Sequence, residues 1–149
     1  MTVWSATARF NAPVGKSEIH NPDESAMSNR LARSFNCSTE FTLQVLGGKW
    51  KTVILCHLTQ GPLRYTDMRR LMPALSDKVL SERLHELVDA GLVSRAKAAN
   101  GQSETYTLAA KGRSLKGVLG ALYNWGEAHA ATFGVKVGHP LRDLRNGGQ

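Results

Sequence analysis

GPLRYTDMRRLMPALSDKVLSERLHELVDAGLVSR, residues 61–95, is the stretch from which the fold is read. Gly61-Pro62 closes the helix before it, and Leu63 and Arg64 form a short extended link. Thr66 is placed to cap a helix that turns Met68, Leu71 and Met72 inward before Pro73 stops it. Ser76 caps the next helix, where Leu80, Leu84, Leu87 and Val88 make one apolar stripe and Gly91 stands just past the end.

Working outward, Phe41, Val45 and Leu46 recur at helical spacing and predict a first helix beginning near Cys37 and broken by Gly47-Gly48. Lys49 is expected to open a second helix carrying Trp50, Val53, Ile54 and Leu58 on one face. On the other side, Leu92 to Ala98 and Glu104 to Leu108 read as two strands, with Asn100-Gly101 supplying the positive φ angles of a tight hairpin. A last long helix is expected from Ala109, with Leu115, Val118, Leu119, Leu122 and Trp125 in phase, fading near Phe133. Three helices, a recognition helix, a hairpin and a long helix are the order of a winged helix-turn-helix domain. The fold class expected is therefore mainly α with a small β-hairpin wing (α+β). The domain is placed at 37–135, with flexible segments over 1–36 and 136–149; Met27 is a candidate alternative start.

The chain of 149 residues carries a net charge of +7, which makes polyanions the leading partner class without deciding the matter. A 42% hydrophobic and 21% charged composition is that of an ordinary globular protein. No apolar run reaches the roughly 18 residues of a membrane span, and no secretory leader pattern opens the chain, so a cytoplasmic location with no membrane partner is expected. Two cysteines, Cys37 and Cys56, are too few for a disulfide scaffold and lack paired zinc-site spacing. No G-x-S-x-G, H-E-x-x-H or phosphate-loop pattern is present, so no catalytic residues and no cofactor are expected. His85 and Asp89 share a helix face, but with no third ligand nearby no metal site is expected.

With Leu80, Leu84 and Leu87 inward, the helical step turns Lys78, Ser81, Glu82, His85 and Asp89 outward. Hydroxyls and carboxylates on such a face can address base edges, glutamate accepting from cytosine N4, although a solvated surface would look the same. The flanking elements carry Lys49, Lys51, Arg64, Arg69, Arg70, Arg95 and Lys97, cations suited to phosphates. A basic surround with an acceptor-bearing helix at its centre is more specific than charge alone.

The runs CSTEFTLQVLGGKW (37–50), GPLRYTDMRRLMPALSDKVLSERLHELVDAGLVSR (61–95) and TYTLAAKGRSL (105–115), with Trp125-Gly126, resemble the HxlR family of bacterial, MarR-like winged helix-turn-helix regulators. The resemblance implies a homodimer through the first and last helices that binds inverted-repeat operators in double-stranded DNA. Its G-G-K-W motif falls on Gly47 to Trp50, making Lys49 a phosphate contact and Trp50 a core residue; its S-x-K-x-L-x-x-R-L pattern falls on Ser76, Lys78, Leu80, Arg83 and Leu84. The expected DNA-contacting set is Lys49, Arg64, Thr66, Arg69, Ser76, Lys78, Ser81, Glu82, His85, Arg95 and Lys97. The wing tip, Ala99 to Glu104, departs from the family pattern in lacking a cation, which implies a weaker grip there.

Cys37 stands where many family members keep a cysteine, some of which sense oxidants or electrophiles, so it is the redox-sensing candidate. A thiol at a helix N-terminus meets a partial positive charge that favours the reactive thiolate, whereas Cys56, beside Ile54 and Leu55, reads as an inert packed thiol. The last helix shows more apolar surface than a small domain can cover, and Phe41, Leu115, Leu119, Leu122, Trp125 and Phe133 are the expected dimer interface. Gly117 and Gly120 would let a partner helix approach closely. The competing reading is a winged-helix protein interaction module without DNA readout. Nothing in the sequence names an effector ligand.

Overall fold

The computed structural model describes residues 34–138, so the expectations for the N-terminal extension up to residue 33, Met27 included, and for the tail from 139 lie outside the described residues. The elements run α1 (Ser38–Leu46), α2 (Lys51–Leu58), β1 (Leu63–Arg64), α3 (Tyr65–Leu71), α4 (Asp77–Asp89), β2 (Val93–Lys97), β3 (Glu104–Leu108), α5 (Ala110–Arg113) and α6 (Lys116–His129). A 3₁₀ turn follows at Ala130–Phe133. This is the α+β winged helix-turn-helix fold expected from the sequence.

One apolar cluster holds the elements together. Ile54, Leu55 and Leu58 of α2, Met68 of α3, and Leu80, Leu84 and Leu87 of α4 are all buried, joined by Leu92, Val93, Tyr106 and Leu108 from the sheet and Leu119 from α6. Each such leucine or isoleucine, fully withdrawn from water, contributes roughly 1.5–3 kcal/mol before chain entropy is subtracted. The helix α2 sits at the centre, packed against α4, β3 and α6. Leu75, in the link between α3 and α4, is also buried and anchors the turn of the helix-turn-helix.

Several expectations need correction. The second helix starts at Lys51, not Lys49, because Gly48 (φ 96°) and Trp50 (φ 84°) both take left-handed backbone before it. For a bulky residue such as Trp50 that conformation costs on the order of 1–3 kcal/mol, offset by packing of the half-buried indole on the core. Thr66 does not cap the third helix; the helix begins at Tyr65, two residues earlier than a Thr66 cap implies, with Arg64 at the cap and no side-chain cap bond. The reason is tertiary: Leu63 and Arg64 pair with Tyr106 and Thr105, which holds Arg64 extended up to the helix start.

That pairing is itself the third correction, since the hairpin becomes a three-stranded antiparallel sheet in the order β1-β3-β2. At the wing tip only Gly101 (φ 68°) has a positive φ; the Asn100 side chain instead accepts the Gln102 N–H at 3.1 Å, closing a longer loop. Fourth, the last helix is two. After α5 the chain tightens, with the Leu115 N–H donating to the Gly112 carbonyl at 3.1 Å, and α6 starts afresh.

The helix α5 is held down on the sheet. The Ala109 N–H donates to the Leu92 carbonyl at 2.9 Å, Arg113 donates to the Leu108 carbonyl at 2.9 Å, and Gly112 is buried directly against Leu92. A Cβ at position 112 would run into the Leu92 carbonyl oxygen, which is backbone and cannot swing aside. Helix propensity alone would make Gly112→Ala stabilising by about 1 kcal/mol. We expect the opposite sign, a loss of about 3 kcal/mol, measured as a drop in urea-unfolding free energy with an unchanged slope; a neutral or stabilised variant would show the close approach to be dispensable.

Candidate nucleic-acid interface

Ser76 caps α4 as expected, its Oγ accepting the Val79 N–H at 3.2 Å, and the helix ends at Ala90 before Gly91 (φ 70°). Leu80, Leu84 and Leu87 are buried, and Lys78, Ser81, Glu82 and His85 are exposed along the opposite face. Asp89 is half-buried, with its Oδ2 3.2 Å from His85 Nε2. Because the leucine stripe cannot leave the core without losing its burial, the polar face has no freedom to rotate inward.

Two clusters hold α4 in register. The first is Glu86, whose side chain is 19% exposed; its Oε1 lies 2.7 Å from Arg83 Nη1 and its Oε2 3.4 Å from Lys51 Nζ. Burial pushes the Glu86 carboxyl upward, but the hydrogen bonds and charges of Arg83 and Lys51 outweigh it and hold the group below the usual range. This ties the start of α2 to the middle of α4. It also removes Lys51, only 11% exposed, from the phosphate-facing set, and gives Arg83 an internal partner.

The second cluster holds the N-terminal end of α4. The Arg69 guanidinium donates to the Leu75 carbonyl and, through Nε, to Asp77 Oδ1 at 2.7 Å. Arg69 therefore commits Nε and one terminal nitrogen to the helix-turn-helix turn. The Tyr65 hydroxyl reaches the same Asp77, 3.1 Å from Oδ1 and 3.2 Å from the carbonyl, and lies 3.2 Å from Ser81 Oγ. Tyr65 was not singled out in the sequence; its role depends on a contact across 12 to 16 residues that no local pattern signals.

Between α4 and the wing lies an open cleft of about 920 Å³, lined among others by Tyr65, Ser81, Glu82, His85, Arg95 and Glu104. The structure thus brings three expected base-reading side chains together with Arg95. Arg95 Nη1 lies 3.8 Å from Glu104 Oε1 across the strand pair, and the nearly buried Tyr106 donates its hydroxyl to Glu104 Oε2 at 3.0 Å. Burial raises the Tyr106 hydroxyl above its ordinary range, and the Glu104 charge and hydrogen bond add to that; Arg95 opposes them. Arg64, Thr66 and Lys97 are exposed on β1, α3 and β2. Exposed Lys49 sits 5.3 Å over the Trp50 ring, and Arg70 pairs with Asp67 at 3.7 Å within α3.

Cys37 is exposed at the N-cap of α1, where its Sγ accepts the Glu40 N–H at 3.4 Å; Asn36 N–H returns to Glu40 Oε2 at 3.0 Å, and Phe35 packs edge-on against Phe41. Cys56 is half-buried, lining a pocket between α2 and α6, and burial pushes its thiol upward. Among the expected interface residues Leu119 is buried and Leu115 half-buried, whereas Phe41, Leu122, Trp125 and Phe133 remain exposed, the last two 58% and 70%. Trp125 stacks on His129 and tilts against Phe133, forming an apolar ridge. A Cβ on Gly117 or Gly120 would meet nothing within 4 Å.

Comparison with known proteins bears on the same region. The model of the HxlR-like helix-turn-helix family matches residues 45–133. The HTH-type transcriptional regulator YtcD of Bacillus subtilis is 44% identical over 98 residues, which cover 65% of this chain and 78% of that protein. The redox regulator HypR in its reduced form superposes with a TM-score of 0.62 at 32% identity, covering 65% of this chain and 97% of HypR. The reduced form of the transcriptional regulator YodB from B. subtilis gives 0.55 at 30% identity, covering 62% and 93%.

Glutamine at position 86 would keep the shape of the side chain and remove its charge. The folded state holds the Glu86 carboxyl below its ordinary pKa of about 4.3, so the charge contributes fully above that pH and its contribution is lost as pH falls through the folded value. Glu86→Gln should therefore cost about 1–3 kcal/mol at neutral pH, with the gap to the native chain closing under acid. Urea titrations of both proteins from pH 7 down to about 3 would measure it; a gap independent of pH would count against the ion pairs.

Proposed function

The chain belongs to the HxlR-like helix-turn-helix family, and from that membership and the geometry of α4 we propose that it is a sequence-specific transcriptional regulator that binds an inverted-repeat DNA operator as a homodimer. The family and the relatives named above are transcriptional regulators, not enzymes. The observation that carries the reading is the exposed row Lys78, Ser81, Glu82 and His85 on a helix locked into the core by its leucines. Such a helix enters the major groove as a rigid body, and its carboxylate, hydroxyl and ammonium groups address base edges.

In this reading Lys49, Arg64, Thr66, Lys78 and Lys97 meet phosphates, and Arg95 works from the wing side of the cleft. Ser76 and Arg69 act by holding the start of α4 in place, Arg69 through Leu75 and Asp77. The domain is the unit 37–135. Dimerisation follows from the ridge of Leu122, Trp125 and Phe133 with Phe41 of α1, too much exposed apolar surface for a lone small domain, and the open backbone at Gly117 and Gly120 admits a second helix. Two-fold pairing sets the recognition helices about 34 Å apart, one turn of DNA.

Operator sequences selected from a random DNA pool should be two-fold symmetric, with two chains per site by sedimentation. Log affinity should fall linearly with log salt, and Lys97→Ala should reduce that slope by about one per chain while leaving the base preference intact. Binding without sequence preference, or affinity insensitive to salt, would instead favour a protein interaction module.

Cys37 is the proposed signal input, supported by its exposure and N-cap position and by the likeness to a redox regulator. Its thiol adds to a quinone ring carbon; a carbon–sulfur bond forms as the ring C=C π bond is used, the thiol proton ends on one ring oxygen, the hydrogen of the attacked carbon shifts to the other, and the ring becomes a thioether-substituted hydroquinone. Quinone treatment should weaken operator binding of the native protein at least about tenfold, about 1.4 kcal/mol, and leave Cys37→Ser unaffected. Unchanged binding after mass spectrometry has verified the Cys37 adduct would remove the sensor role.

A further inference from the structure

We infer that Ser81 faces DNA as a hydrogen-bond acceptor only, and that Tyr65 is the residue that sets this polarity. The inference rests on the reading of α4 as the major-groove helix and adds to it which base Ser81 accepts.

A serine hydroxyl by itself discriminates poorly, because its single proton rotates and the oxygen can either donate or accept. Ser81 is not by itself. Its Oγ lies 3.2 Å from Tyr65 Oη, and Tyr65 Oη lies 3.1 Å from Asp77 Oδ1 and 3.2 Å from the Asp77 carbonyl oxygen. Both Asp77 atoms can only accept, and the carboxylate is fixed in place by Arg69 Nε at 2.7 Å from the same Oδ1. Tyr65 has one proton to give. A bond to an ion-paired carboxylate is the stronger use of it, roughly twice as strong as one to a neutral hydroxyl. The Tyr65 oxygen is then left as an acceptor, and the 3.2 Å contact is made by Ser81 donating into it.

The proton chain therefore runs from Ser81 to Tyr65 to Asp77, away from the cleft. Ser81 is exposed on the cleft that Tyr65 also lines, and what remains on its oxygen is lone-pair density. In the major groove that density matches the amino groups of adenine N6 and cytosine N4, and it meets only acceptors at guanine O6 and N7 or thymine O4. Each base pair presents one amino group in the major groove, adenine N6 or cytosine N4, so Ser81 distinguishes which strand presents it. Tyr65 contributes specificity without touching the base.

The test is selection from a random DNA pool by the full chain, comparing the native protein with Tyr65→Phe, Ser81→Ala and the double variant. At the one position altered by Ser81→Ala, the native protein should prefer adenine or cytosine on the facing strand over guanine or thymine about fivefold, the scale of one neutral hydrogen bond. Tyr65→Phe keeps the ring and frees the serine proton, so that preference should fall toward parity while the salt slope stays as it was. The double variant should match Ser81→Ala at that position, because Tyr65 acts only through Ser81. A native preference for guanine or thymine there overturns the inference, as does an unchanged preference in folded Tyr65→Phe, or no position responding to Ser81→Ala. Should Tyr65→Phe fail to fold, the native preference set against that of Ser81→Ala still decides. Loss of all sequence selection in the native protein would overturn the groove reading and this inference with it, and is distinguishable from the other outcomes.

Discussion

Burial of one leucine stripe governs this molecule. Leu80, Leu84 and Leu87 of α4 lie against the cluster that includes Ile54, Leu55 and Leu58 of α2, all close to fully excluded from water. Turning α4 by a single residue, 100°, would swing these leucines toward solvent and bury the charged row in their place, at a cost far above the marginal stability of a small domain. The orientation of the polar face is thus a by-product of the core, which is why the face can vary in chemistry without endangering the fold.

Burial alone sets rotation coarsely, and polar contacts refine it. Glu86 pins the middle of α4 to the start of α2 through Lys51, with Arg83 as a second partner, while Arg69 and Tyr65 clamp its first turn through Asp77. All are charge-assisted and directional where dispersion is not; the Glu86 bonds are also partly buried and so stronger than exposed pairs, whereas the Asp77 carboxylate is exposed. Cations that composition would assign to a phosphate surface are divided by this arrangement. Lys51, Arg69 and Arg83 are turned inward or along the turn, and Arg64, Lys78 and Lys97 are left exposed.

The last third of the chain carries the opposite logic. The helix α5 is fastened to the sheet so closely that only glycine fits at 112, but α6 leaves Leu122, Trp125 and Phe133 uncovered. A single short domain has one core to offer, and α6 contributes Leu119 to it and little else. The break at Leu115 separates the part that closes the domain from the part that faces outward.

What could be read from the chain was whatever depends on near neighbours. The 3.6-residue spacing of the leucines, the Ser76 cap, Gly91 past the helix end, and the exposed row from Lys78 to His85 are local consequences of helix geometry and were legible. What only the tertiary structure decided are the contacts between distant segments. Pairing of β1 with β3 moved the start of α3 away from Thr66. Leu92 against Gly112 accompanies the division of the last helix. Glu86 drew Lys51 out of the phosphate set, and Tyr65 came to rest on Ser81 across 16 residues. Hydrophobic periodicity records which face of an element is buried and is silent on its partner, because transfer from water is non-directional; the partner is chosen by the packing and hydrogen bonding of the assembled chain.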